Sequence, residues 1–274
     1  DVPKYAADYP YGELSGRDDV DELLAGSRGN LEGQGEKRHP ADFALWKQAS
    51  PQHIMKWKSP WGVGFPGWHI ECSAMSHKYL GTQADIHGGG LDLKFPHHEA
   101  EIAQNNACLH HDCGVDHRTN EARLWMHNNM VTINGQKMGK SLGNFITLGQ
   151  FFEGTHQLLS QAYSGMTIRF FILQSSYRST LDFSDEALKA AEKGLKRLMQ
   201  ALALLEKVQP APTSTVDASE HARALAAAMN DDLNTAAAVA QLFEATKLIH
   251  ALDQGTEKLT EADLKAFRQT LHTY

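Results

Sequence analysis

Cys72, His97 and Glu101 offer a sulfur, a nitrogen and a carboxylate oxygen, the donor types that zinc accepts. A set of three protein ligands leaves one coordination position free for a substrate atom. The three residues fall within a short, chemically dense stretch. It runs from Gly67-Trp68-His69-Ile70-Glu71-Cys72-Ser73 through Asp85-Ile86-His87-Gly88-Gly89-Gly90-Leu91-Asp92 to Phe95-Pro96-His97-His98-Glu99-Ala100-Glu101. Pro96 suits the first position of an α-helix, where its missing N–H costs nothing. Winding from there places His97 and Glu101 four residues apart on one face, with Glu99 pointing away. His98, three residues from Glu101, shares that face less well and stays open as the alternative nitrogen ligand. Taken singly, these are ordinary surface polar groups and a thiol packed as a small hydrophobe. Concentrated in one block, they point to an open metal site, and an open site implies chemistry or recognition.

A second block carries charge rather than ligands. Trp125-Met126-His127-Asn128-Asn129-Met130-Val131 reads as strand, and a turn is expected at Asn134-Gly135. Gln136-Lys137-Met138-Gly139-Lys140-Ser141-Leu142-Gly143-Asn144 follows as a glycine-punctuated loop. Lys137 and Lys140 can close two ammonium groups over a polyphosphate and stabilise the charge that grows on its oxygens. An isolated pair of lysines at this spacing is more commonly a solvated loop. A further group of ligand types, Cys108, His110, His111, Cys113 and His117, has a Cys-x4-Cys spacing unlike common zinc knuckles, and Gly114 reads as a helix stop. The expectation there is a helix end with free thiols.

The elements that must position these groups change in kind along the chain. Residues 1–50 are rich in Gly, Asp and Arg, with loops at Gly26-Ser27-Arg28-Gly29 and Gly33-Gln34-Gly35, and read as an irregular insertion. From 51 to 146, strand-like runs at Ala84–His87, Leu124–His127 and Met130–Ile133 alternate with helical patterns at Cys72–Leu80 and His97–Cys108, the signature of an α/β sheet. From Thr147 on the pattern is almost wholly helical. Ser184, followed by Asp185 and Glu186, caps a long helix to about Val208. Val208 to Thr215, with Pro210 and Pro212, breaks it, and helices are expected at Ser219–Met229, Ala236–Leu252 and Glu261–His272. On the long helix Leu188, Leu195, Leu198, Leu202 and Leu205 form an apolar stripe. Lys189, Lys193, Lys196 and Arg197 form a basic one, either a solvated face or a track for a phosphate backbone.

At 274 residues, 42% apolar and 22% charged, the chain can bury one or two cores, and no apolar run is long enough to span a membrane. Three cysteines, an odd number, argue against a disulfide framework and suit a reducing cytosol. The net charge of -7 is unlike that of a protein that wraps nucleic acid, so any RNA contact must be local.

Lys137-Met138-Gly139-Lys140-Ser141 resembles the class I aminoacyl-tRNA synthetase loop Lys-Met-Ser-Lys-Ser, with Gly139 where serine is usual. The segments 67–75 and 85–101, and Asp42-Phe43-Ala44-Leu45-Trp46-Lys47, resemble segments peculiar to the cysteine-specific branch. On these residues, in order and at family-like spacing from about Asp1 to at least Asn234, the chain resembles the cysteinyl-tRNA synthetase family.

The resemblance implies an α/β fold, the later half of a class I Rossmann-like catalytic domain followed by a helical stem-contact region and a helical bundle. It implies the end of a connective insertion over 1–50, the catalytic half over 51–146, the stem-contact region over 147–208, a linker over 209–218 and the start of a tRNA-binding helical domain over 219–274. The implied reaction is ATP-dependent activation of L-cysteine to cysteinyl-adenylate and transfer to tRNA(Cys) in the cytoplasm, by a protein that is monomeric at full length. One zinc on Cys72, His97 and Glu101 would separate cysteine from serine by its preference for thiolate, and ATP would enter with Mg2+. Trp68 and His87 would line the cysteine pocket. Gly88, Gly89, Gly90, Asp92, Met130, Val131 and Lys140 would meet ATP, Lys137 and Lys140 would act in catalysis, and the basic stripe would meet tRNA. His69 and Ser141 are expected to be structural.

The family's opening strand, its His-Ile-Gly-His-like element and a further zinc-binding cysteine have no counterpart among the residues that begin Asp1-Val2-Pro3-Lys4-Tyr5. The chain therefore reads as a piece that starts inside the connective insertion and is inactive alone. The alternatives are an ATP-dependent cysteine:amino-sugar ligase of the mycothiol type, an inactive module that holds zinc or tRNA, and a zinc hydrolase, against which the lysine loop counts.

Overall fold

The computed structural model describes residues 1–16, 37–112 and 122–274, so the loops expected at Gly26–Gly29 and Gly33–Gly35 lie outside the described residues. The chain divides into two compact units, Asp1–Asn128 and Asn129–Tyr274.

In the first unit α1 (Val2–Ala6) starts from Asp1, whose side chain accepts a hydrogen bond from the Lys4 N–H. A three-stranded antiparallel ribbon follows, built from β1 (Trp46–Gln48), β2 (Trp57–Ser59) and β3 (Gly62–Pro66) in the order β1-β3-β2. The ribbon feeds into α2 (Trp68–Leu80) through Gly67, where a Cβ would stand 1.9 Å from the Ala44 carbonyl oxygen. Only glycine permits that approach. β4 (Ala84–Gly90) then pairs in parallel with β5 (Ala122–Asn128), with Ile86 opposite Leu124 and His87 opposite Trp125. The connection between them contains α3 (Glu99–Asp112).

That helix corrects the expectation of winding from Pro96. Regular α-helix begins only at Glu99, and Lys94–His98 form a wider turn in which Phe95 is extended, at φ -131° and ψ 133°. Proline drives the residue before it out of the helical region, so the chain cannot wind through Phe95. His97 and His98 consequently sit on the wide turn rather than in the α-helix.

In the second unit β6 (Val131–Ile133) pairs antiparallel with β7 (Gln136–Lys137) and parallel with β8 (Leu181–Phe183). The β6–β7 turn is the expected Asn134-Gly135, with φ of 49° and 77°, the two-residue geometry that follows the natural strand twist. The helices are α4 (Leu148–Glu153), α5 (Gly165–Leu173), α6 (Asp185–Leu205), α7 (Ser219–Asn230), α8 (Thr235–Asp253) and α9 (Glu261–Thr273). Ser184 caps α6 by accepting from the Ala187 N–H. Leu188, Leu198 and Leu205 of α6 are buried in one apolar core with Leu225, Ile249, Leu264 and Phe267, and Leu195 and Leu202 pack against it. The apolar stripe read from the sequence is thus the buried face of α6.

The strands differ from a single sheet: they fall into three small ones. Asn129 begins the second unit. Its N–H donates to the Tyr177 carbonyl and its amide to that of Arg178, which turns the chain toward β8, fifty residues ahead in sequence. Among the described residues no helix is long and apolar enough to cross a membrane.

Candidate functional site

Cys72 projects from the first turns of α2, His97 from the wide turn and Glu101 from the start of α3. Their donor atoms lie within 4.8 Å of one another. His97 Nε2 is 2.7 Å from Glu101 Oε1 and 3.6 Å from Cys72 Sγ. The ring is held on its other side, where His97 Nδ1 is 2.7 Å from His69 Nδ1 and Trp68 stacks at 4.0 Å between centroids. This is the arrangement in which a ligand nitrogen is aimed by a hydrogen bond at the opposite ring nitrogen.

His98 takes a different role from His97. With His87 and Glu101 it makes a second group whose donor atoms also lie within 4.8 Å, and His87 Nε2 is 3.4 Å from Glu101 Oε2. Its Nδ1 is 2.8 Å from His127 Nε2, and Trp125 stacks on His87 at 4.6 Å. The carboxylate of Glu101 therefore stands between two histidines, His97 on the Cys72 side and His87 on the other. His127 and Trp125 were not foreseen as members of this group. The signal for them was present: residues two apart on β5 share a face, and β5 runs beside His87.

Burial, reinforced by the neighbouring imidazole of His97, lowers the pKa of His69 to about 4. Burial, then His87, His127 and His97, lowers that of His98 to about 3. Burial also lowers His87, and burial followed by His87 lowers His97. These rings are neutral at pH 7, the form in which imidazole binds a metal. Glu101 is fully buried among them. A dication at these donor atoms would offset the cost of burying that carboxylate. Soft sulfur, neutral nitrogen and carboxylate oxygen together fit zinc.

Glu99 points away, as expected, but it is not idle. It is buried, and its carboxylate accepts the Gly12 and Ser15 N–H groups at 3.1 and 3.0 Å, tying the N-terminal segment to α3. Burial raises its pKa against the lowering effect of those bonds. Gly89 has a packing reason: a Cβ there would lie 2.9 Å from His98 Cε1 and 2.8 Å from Leu93 Cδ1. Gly88 and Gly90 complete β4, and Asp92 is exposed just beyond them. Trp68 is 58% exposed, so one face of the stack on His97 remains open to solvent.

In the second unit Lys137 ends β7 and Lys140 opens a short 3-10 turn, both exposed. Lys140 Nζ lies 5.6 Å from the centre of the Phe145 ring. The Met130 N–H donates to Asn129 Oδ1 and its carbonyl accepts from Leu181, while the Val131 carbonyl accepts from Met138. Of the basic stripe, Lys189 is paired with Asp185 at 2.7 Å, whereas Lys193, Lys196 and Arg197 are exposed. Cys108 is an exposed free thiol on α3. Cys113, His117 and the side chains of His110 and His111 lie outside the described residues.

Residues 3–193 match the family model described as the tRNA synthetases class I (C) catalytic domain, and residues 224–274 match the DALR domain. A Cysteine--tRNA ligase of Bacteroides fragilis is 58% identical over 274 residues, covering 100% of this chain and 54% of that protein. One from Parabacteroides distasonis is 57% identical with the same coverage. One from Cytophaga hutchinsonii is 54% identical over 262 residues, covering 91% of this chain and 50% of that protein. The chain spans about half the length of these relatives. Among solved structures, a LeuRS–tRNA–LeuAMS ternary complex from Agrobacterium radiobacter is similar over 79% of this chain and 30% of that one, with a TM-score of 0.55 and 16% identity. That likeness concerns the fold alone.

Proposed function

The chain belongs to the cysteine-specific family of class I tRNA synthetases, and from that premise we propose that it serves in activating L-cysteine with ATP and loading it on tRNA(Cys). The observation that carries the proposal is the convergence of Cys72, His97 and Glu101 within 4.8 Å. These three residues would hold zinc, which when bound would supply a preference for thiolate over hydroxyl and so separate cysteine from serine without a second sieve. His69 orients His97 from behind. Trp68 forms the wall of the cysteine pocket, and His87 lies on the side of the substrate carboxylate.

In activation a carboxylate oxygen of cysteine attacks the α-phosphorus of ATP. The bond from that phosphorus to the bridging oxygen breaks, and pyrophosphate leaves. Lys137 and Lys140 would face the charge that accumulates on the departing phosphates. Gly88, Gly89, Gly90, Asp92, Met130 and Val131 would lie along the nucleoside. A terminal ribose hydroxyl of the tRNA then displaces AMP from the adenylate.

The mixed α/β catalytic part and the helical DALR part of the chain are family features. Finer assignments are part of the proposal: 1–50 as the end of a connective insertion, 51–146 as the later half of a Rossmann-like domain, 147–208 as a stem-contact region, 209–218 as a linker and 219–274 as the start of a tRNA-binding bundle. Lys193, Lys196 and Arg197 are the candidate phosphate contacts, and Lys189 is committed to Asp185.

The test is ATP–pyrophosphate exchange by the full-length protein with cysteine and with serine, followed by transfer to tRNA or to an amino sugar. Exchange with cysteine alone and transfer to tRNA is the expected result. Transfer to the amino sugar would move the protein to the ligase reading, and equal exchange with serine would remove the thiolate-selecting role of the metal.

A further inference from the structure

The lysine loop is closed on itself by one side chain. Asn144 Oδ1 accepts the Gly139 N–H at 2.9 Å, and Asn144 Nδ2 donates to the Lys137 carbonyl at 3.1 Å. The two bonds straddle Met138, so the backbone on both sides of it is fixed to one planar amide. Between the anchors the chain makes a single tight turn. The Leu142 N–H bonds to the Gly139 carbonyl and the Gly143 N–H to the Lys140 carbonyl, and Gly143 is left-handed at φ 66°. That turn returns the chain so that Asn144 can reach back. The next residue, Phe145, carries its ring under the Lys140 ammonium. Strand pairing ends at Lys137, the Met138 N–H still donates to the Val131 carbonyl at 3.2 Å, and beyond Met138 the loop is held by its own turn and by Asn144.

Resting on the reading that this loop acts on ATP, we propose that Asn144 is the positioning residue of the loop, setting the separation and direction of Lys137 and Lys140 without touching the nucleotide. Beyond Met138, which is tied to β6 and to the core, an exposed segment held by its own turn alone would sample many placements of Lys140 relative to Lys137, and a transition state rewards only those that present both charges together. A planar amide that accepts from one side of Met138 and donates to the other removes most of that freedom. Neither a hydroxyl nor a carboxylate reproduces both bonds, because neither combines acceptor and donor at that spacing.

The test uses Asn144→Ala, Asn144→Asp and Lys140→Ala in the full-length protein. Asn144→Ala is expected to lower the kcat of cysteine-dependent ATP–pyrophosphate exchange about 10-fold, with KM for cysteine unchanged, because two hydrogen bonds of ordinary net strength are removed from the loop alone. Amide hydrogen exchange at Gly139 should accelerate by about the same factor, by the same hydrogen-bond estimate. Asn144→Asp keeps the acceptor, so it should restore protection of the Gly139 amide while kcat stays reduced. Normal kcat in Asn144→Ala, alongside slow exchange in Lys140→Ala, would overturn the positioning role and leave the function of the loop standing. Normal exchange in Lys140→Ala would instead remove the reading on which the inference rests. A parallel rise in KM for cysteine in Asn144→Ala would also overturn it, since the effect would then reach beyond the loop. Should Asn144→Ala fail to fold, the Asn144→Asp comparison of amide protection with kcat decides alone.

Discussion

Among the described residues, the enclosed polar side chains of the unit Asp1–Asn128 are His97, His98, Glu99, Glu101, His127 and Ser73, whereas those of Asn129–Tyr274 are only Thr132, Thr167 and Thr246. The second unit has a continuous core from Ile133 to Leu271, while the apolar cluster of the first gathers Val2, Tyr11, Ala41 and Ala103. The two regions thus solve stability and chemistry in opposite ways. In the first unit the buried histidines stand against one another and against Glu101, and burial lowers the pKa of His69, His87, His97 and His98. In the second unit Lys137 and Lys140 stay exposed, and the buried side chains are almost all apolar. On the proposed function, the first arrangement should respond to the loss of a donor and the second to charge and loop geometry.

The largest effect should follow from removing a donor from the polar interior. Cys72→Ala is expected to weaken zinc binding by more than about 100-fold, since even groups behind the ligands are worth 10–100-fold. Cys108→Ala, at an exposed thiol, should leave the metal content unchanged. Metal analysis after dialysis separates the two, and retention of zinc by Cys72→Ala would break the contrast outright.

Lys140→Ala probes the other unit. Cysteine-dependent exchange in the full-length protein should slow roughly 100-fold, about 3 kcal/mol of transition-state stabilisation, while zinc content is unaltered. An unchanged rate would reduce the loop to a solvated surface feature.

A smaller effect is expected from acid. The turn between α7 and α8 holds Asp232 and Leu233 at φ of 53° each, and Asp232 is bound by the Arg178 guanidinium and by Tyr177 Oη at 2.7 Å. Arg178 first, and Tyr177 after it, lower the Asp232 pKa to about 2. A carboxylate whose pKa falls on folding adds stability above its unfolded value near 4, and that stability is lost as pH falls toward 2. Asp232→Asn should therefore be less stable at pH 7 and lose less than the parent protein between pH 4 and 2, as followed by far-UV circular dichroism. Equal acid sensitivity of the two would remove this pair from the account of the second unit.

The smallest effect belongs to Gly139. Its backbone is extended at φ -164°, and an added Cβ would meet nothing closer than Ser141 Oγ at 3.9 Å. Gly139→Ala should fit without strain and gain a few tenths of a kcal/mol by restricting the unfolded chain. Thermal unfolding measures it, and a loss of 1 kcal/mol or more would mean that the loop needs a conformation closed to other residues.

The sequence by itself determined what depends on neighbours along the chain. Ser184 and the leucines after it settled the start and buried face of α6, Asn134-Gly135 settled its hairpin, and the helices near Ser219, Ala236 and Glu261 formed within a residue or two of their expected bounds. Capping, turn chemistry and helical period act over a few residues, so they can be read there. The donor types at Cys72, His97 and Glu101 were legible for the same reason, as chemistry written in side chains. Tertiary structure alone decided which histidine serves which partner. His69 meets His97 across 28 residues, Cys72 meets His97 across 25, and His98 meets His127 across 29. Phe95, held extended before Pro96, turned adjacent histidines toward different partners. Contacts of that span depend on how α2, α3, β4 and β5 pack, and burial then lowers the pKa of His69, His87, His97 and His98. No periodicity along the chain encodes either.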